Sequence, residues 1–188
     1  MKNIHYQIGT TLLEILISVV ILALGLLGLA GLQVNSLQYQ KTSSSRSEAT
    51  QAAYDMGERI RTNWPLTTDA NFNNERTANE SRYNLVRTYA DASNSTSAWV
   101  TSCGAGSNCS PDALANDDFA GWMNNLGRRL PGGAGSFSVV RATNINPVSA
   151  FDVTVMWKEQ GFVSRDTTCP RAVSAGDGVR CITVRVTI

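Results

Sequence analysis

Between Leu12 and Leu32 the chain carries no polar side chain except Glu14 and Ser18. The run has 21 residues, about 31 Å as a helix, enough to cross the hydrocarbon core of a bilayer. A segment this apolar needs lipid or other helices around it. A carboxylate inside it is costly and is rarely retained without a role. A short leader, Met1–Gly9, precedes the run, and Glu14 lies five residues beyond Gly9. Fold and function are both constrained by this order of glycine, carboxylate and apolar helix.

Three readings compete for the run. A secretory signal removed after its apolar core needs a basic start, a shorter core and a small-residue cut site behind it. Here the leader has one lysine, Lys2, and Gly28-Leu29-Ala30-Gly31 is a poor site. A plain transmembrane anchor accounts for the length and leaves Glu14 unexplained. A cut before the apolar run, after Gly9, accounts for both. It leaves the helix on the mature chain, with a new α-amine on Thr10 one turn from Glu14. A neighbouring subunit's amine then neutralises Glu14 in a bundle and fixes register between chains, since an unpaired buried charge costs several kcal/mol, roughly. Lys2 in the leader fits a cytoplasmic start.

Composition narrows the rest. Net charge is +1, and removing the leader with Lys2 leaves 15 basic and 15 acidic side chains. That balance gives no footprint for nucleic acid. The single histidine, His5, lies in the leader. A processed chain therefore lacks the commonest general base and metal ligand, and no catalytic residue or cofactor site is assigned. Cys103, Cys109, Cys169 and Cys181 lie beyond the apolar run without CxxC spacing, which reads as disulfides in an oxidising compartment. Local pairing, Cys103 with Cys109 and Cys169 with Cys181, is the favoured of the three connectivities.

Beyond the run, Ala49, Ala52, Ala53, Met56 and Ile60 mark one helical face, so the helix is expected to continue to about Asn63, before Trp64-Pro65. Gly25, Gly28 and Gly31 suit either close helix packing or local softness. The stretch from Trp64 to Val100 is polar. Asp69, Asn71, Asn73 and Glu80 match calcium-loop positions, but Asn74 replaces the turn glycine, and a polar surface loop is the better reading. Asn94-Ser95-Thr96 matches a glycosylation sequon. Ser110-Pro111-Asp112 starts a helix whose apolar face is Phe119, Trp122, Met123, Leu126 and Leu130, closed by Pro131-Gly132-Gly133. Strands are expected at Phe137–Ala142, Phe151–Lys158 and Ile182–Ile188, forming an antiparallel meander with one buried face against the Ala49–Ile60 helix face. The Cys169–Cys181 segment is then a stapled surface loop.

Gly9-Thr10-Thr11-Leu12-Leu13-Glu14 resembles the leader motif of type IV pilins and pseudopilins, with Thr10 where a phenylalanine is usual. Leu24–Gln33, Ala53-Tyr54-Asp55-Met56-Gly57-Glu58-Arg59-Ile60-Arg61-Thr62-Asn63, Leu130–Gly133 and Val153–Trp157 are similar to the pilus modification (PilV) class of minor pilin. As generic chemistry Asp55, Glu58, Arg59 and Arg61 read as a solvated face. The resemblance implies an α+β pilin ladle: leader 1–9, a long helix 10–63 crossing the membrane over 12–32, and a periplasmic head 64–188. It implies cleavage between Gly9 and Thr10 by a prepilin peptidase, N-methylation of Thr10, and Glu14 as the registration residue. It also implies residence in the inner membrane before passage to a surface pilus. The partners it implies are other minor pilins, the major pilin and a possible tip adhesin. A type II secretion pseudopilin and a pilin-anchored adhesive head are the alternatives.

Overall fold

A computed structural model of the chain describes residues 11–64, 72–93, 103, 108–140 and 150–188, the side chains of 72–76 excepted. Gly9, Thr10, Asp69, Asn71 and the Asn94-Ser95-Thr96 sequon lie outside the described residues. The fold is α+β, and the described residues form four α-helices and three strands: α1 (Leu12–Thr62), α2 (Phe72–Arg82), α3 (Tyr89–Ser93), α4 (Pro111–Arg129), β1 (Ala134–Val140), β2 (Ala150–Lys158) and β3 (Val179–Thr187). The chain divides into two compact units, 1–43 and 44–188, and α1 runs from one into the other.

In the first unit α1 begins after Thr11, whose hydroxyl accepts the Glu14 amide at 3.4 Å. This is an N-cap on one of the helix's free donors. Every residue from Thr11 to Lys41 is exposed. The helix is long and apolar enough to cross a membrane.

The second unit, the head, is built on an antiparallel sheet of order β1-β2-β3. Phe137 opposes Val153, Val153 opposes Val184, and Phe151 opposes Val186. These side chains share one face, because alternate residues of a strand point the same way. The Ser44–Thr62 part of α1 packs on that face through Ala49, Ala52, Ala53, Met56 and Ile60, all in one core with Phe137, Phe151 and Val153. α4 packs there too, over β1: a side chain on Gly135 would collide with the Trp122 ring, 2.1 Å from the position of its Cβ. Ser110 caps α4 by accepting the Ala113 amide at 3.2 Å. Six aromatic rings, Trp64, Tyr83, Phe119, Trp122, Phe137 and Phe151, touch one another in the middle, with Phe119 edge-on to Phe137 at 5.5 Å and Trp64 edge-on to Phe151 at 5.7 Å.

Three expectations need correction. The sheet does not have a single buried face: on the other side the row Ala134, Met156 and Cys181 is buried, and Ser136 and Thr154 in the next row are too. That cover fades toward Asp152 and Arg185. The strands also start earlier than alternation suggests, β1 at Ala134 and β3 at Val179. The polar stretch after Trp64 holds two helices, α2 and α3. The calcium-loop reading fails with it, since Asn73 and Glu80 are wound into α2 and Glu80 is buried. Among the described residues no cluster of three or more His, Cys, Asp or Glu side chains could hold a metal.

Candidate functional site

Glu14 stands in the first turn of α1. Its amide is bonded to the Thr11 carbonyl at 3.0 Å as well as to the hydroxyl, and its own carbonyl accepts Ser18 Oγ at 2.7 Å. The Glu14 amide and carbonyl and the Thr11 and Ser18 hydroxyls are thereby bonded without the Glu14 carboxylate. No side chain among the described residues takes that carboxylate. A carboxylate here also meets the positive end of the helix dipole, worth ~0.3–1 kcal/mol. Thr11-Leu12-Leu13-Glu14 is also a capping-box sequence, a helix-start signal that stands beside the membrane charge in the same residue. The other residues of the expected cleavage site, Gly9 and Thr10, are not described.

The Asp55–Asn63 string has more to do than face solvent. Gly57 lies against Val186: a Cβ there would sit 2.6 Å from a Val186 methyl. Arg59 bridges Asp55 at 3.1 Å and Asp118 of α4 at 3.3 Å. Arg61 pairs with Glu58, and its Nε donates to the Thr187 carbonyl at 3.1 Å. Asn63 donates to the Tyr83 hydroxyl at 2.9 Å, and Tyr83 donates to Asp118 at 3.1 Å. Asn79 of α2 donates to the Asn63 carbonyl at 2.7 Å, and Arg82 donates from Nε and Nη2 to the two carboxylate oxygens of Asp112 of α4 and from Nη1 to Asn79 Oδ1. Arg59 and Asn63 thus join α1, α2 and α4 through one polar network. Burial raises the Asp118 carboxyl above the usual carboxylate range, against the Tyr83 and Arg59 contacts that favour its ionised form. Burial likewise raises the Tyr83 hydroxyl. The Arg82 hydrogen bond holds Asp112 low.

Higher on α1, the Trp122 indole donates to the Ala52 carbonyl at 2.8 Å, and Arg129 reaches Glu48 at 3.3 Å. Tyr83, Asp118 and Arg82 carry no signal in the sequence that singles them out, and Asp112 reads there only as part of a helix start. Their signal is tertiary: polar residues on elements that only the fold brings together.

The structure joins Cys103 to Cys109 and Cys169 to Cys181. Asp117 of α4 accepts the Cys103 amide at 2.9 Å. The segment between β2 and β3 turns back on Arg180, whose guanidinium covers the Phe162 ring at 3.5 Å and pairs with Glu159 at 3.0 Å and Asp166 at 3.6 Å. Asp166 is buried, which works against its charge, yet bonds from Thr168 and the Cys181 amide and the nearby Arg180 hold its carboxyl low. β3 is an edge strand, and edges are templates for unwanted pairing. Here its outward groups are taken near both ends, the Cys181 amide by Asp166 and the Thr187 carbonyl by Arg61.

Compared with family models, curated proteins and solved structures, the chain matches none of them.

Proposed function

We propose that this chain is a minor pilin of the type IV pilus, cut after Gly9 by a prepilin peptidase and assembled with other minor pilins to prime the fibre. The observation that carries the reading is the order of parts: a glycine-ended leader, a carboxylate in the first turn, an uncovered membrane-length helix, and that same helix continuing into an α+β head. Each part then has a use. The apolar length holds the chain in the inner membrane with its head in the periplasm. Packing against like helices covers it in the fibre. The Glu14 carboxylate, which no side chain among the described residues takes, pairs with the Thr10 amine of a neighbouring subunit. The partners on this reading are minor pilins, the major pilin and a tip adhesin, and the Asp55–Asn63 string favours the pilus over a secretion pseudopilus.

The test is co-expression of the full chain with a prepilin peptidase, followed by N-terminal sequencing, and recovery of the chain in sheared surface fibres. A mature chain starting at Thr10 and present in the fibres supports the proposal. An uncut chain, or a cut chain that is absent from fibres and not required for their formation, overturns it.

A further inference from the structure

The loop that Cys169 and Cys181 staple is held by more than the staple. Arg180 sits at its hinge, stacked on Phe162 and paired with Glu159 and Asp166. The backbone ties the loop to the segment before it, Glu159 N–H to the Gly178 carbonyl and Gly178 N–H to the Ser164 carbonyl, both at 3.1 Å. Gly178 takes φ +78°, a conformation other residues adopt with strain, and a Cβ there would press on the Phe162 carbonyl at 3.1 Å. Val173, Ala175 and Val179 are buried, so the loop has apolar contacts of its own. Asp166 touches both cysteines' backbones: its carbonyl accepts the Cys169 amide at 3.3 Å and its carboxylate accepts the Cys181 amide.

We infer that this loop folds around Arg180 without its disulfide, and that Arg180 and Asp166 are positioning residues that bring the Cys169 and Cys181 thiols together for oxidation. None of these contacts contains sulfur; those of Asp166 reach both cysteine backbones directly, and those of Arg180 and Gly178 tie the Cys181 end to the segment that carries Asp166. The chemistry is thiol–disulfide exchange with an external disulfide. One loop thiolate attacks it, forming a mixed disulfide and releasing one external thiol. The second loop thiolate then displaces the other. The loop loses two protons and two electrons, and the external disulfide is reduced to two thiols. A preformed loop raises the effective concentration of the second thiol for that last step.

The experiment uses the full chain in detergent micelles, equilibrated in glutathione redox buffers, quenched with acid and alkylated. Peptide mass spectrometry then reads each cysteine pair separately. In native buffer, Arg180→Ala and Asp166→Asn should each lower the effective concentration for Cys169–Cys181 by about tenfold or more. They should leave Cys103–Cys109 unchanged, and the difference should vanish in concentrated urea. Wild-type values for the Cys169–Cys181 pair in both variants would overturn the inference. If a variant fails to fold, the Cys169→Ser/Cys181→Ser chain decides by hydrogen exchange. Protected backbone amides at positions 178 and 181 support a loop that folds without the bond, and exchange at unfolded-chain rates refutes it. This inference does not rest on the pilus reading.

Discussion

Gly57 and Val186 touch where a side chain on the helix would not fit: a Cβ on Gly57 would stand 2.6 Å from one Val186 methyl and 3.2 Å from the other. Val186 is buried on an edge strand and is stiff about its χ1 angle, so it has little room to yield. Gly57 therefore sets how closely the Ser44–Thr62 part of α1 approaches the sheet. An alanine there gains up to ~1 kcal/mol of helix propensity and loses ~1–3 kcal/mol to overpacking. Gly57→Ala should destabilise the head by about 1–2 kcal/mol net in urea unfolding of the full chain in micelles. Adding Val186→Ala should recover part of that loss in a double-mutant cycle. An alanine variant as stable as wild type would mean that the approach is not fixed by this pair.

The Trp122 indole donates a buried hydrogen bond to the Ala52 carbonyl, from α4 to α1. Trp122→Phe keeps a ring over Gly135 and removes the donor. A loss of about 1–2 kcal/mol is expected, from the bond and some lost volume. Equal melting temperatures for the two proteins would assign the joint to packing alone.

Two carboxylates should pull the pH profile in opposite directions. Asp118 is raised in the folded state, so the fold holds its proton more tightly than the unfolded chain does. Its contribution to stability therefore grows as pH falls through its folded value and levels off below the unfolded value near ~3.9. Asp166 is lowered, so its contribution is present above that unfolded value and is lost as pH falls through its folded value. Asp118→Asn should flatten the gain on mild acidification, and Asp166→Asn should flatten the loss at lower pH. Stability measured against pH for the two variants checks both signs, and parallel curves with wild type would remove these groups from the balance.

The first turn separates capping from assembly. Gly9→Val should block leader removal, read as a precursor-size band. Glu14→Ala should leave cleavage intact and lower recovery of the chain in fibres about tenfold or more, on the scale of one lost charge pair. Thr11→Val removes the hydroxyl that takes the Glu14 amide and costs the helix ~0.5–2 kcal/mol locally, with recovery in fibres near wild type. Equal losses from Glu14→Ala and Thr11→Val would make Glu14 a cap residue and no more.

Periodicity made α1, α4 and β2 legible, because each carries one continuous apolar face or alternation. α2 was not, since Phe-Asn-Asn-Glu-Arg-Thr-Ala-Asn-Glu-Ser-Arg has no apolar face and is anchored instead by polar contacts of Asn79 and Arg82. β3 reads as starting at Ile182 because its burial changes side: Val179 and Cys181 are buried on one face, Val186 on the other. The start of β1 is hidden because Gly135, a poor strand former, is required there by the Trp122 ring. Arg59 shows the limit most clearly. By sequence it is one more charge on a helix surface, and only the fold places Asp118 beside it.

The joints between α1 and the head are spread along the helix: Glu48 to Arg129, Ala52 to Trp122, Gly57 to Val186, Arg59 to Asp118 and Arg61 to Thr187. A pull along that helix would load them side by side, in shear, so that they must give together. A force that lifts the helix away from the sheet would break them one after another, like a zip. The head is therefore mechanically directional, strong along the helix axis and weak across it.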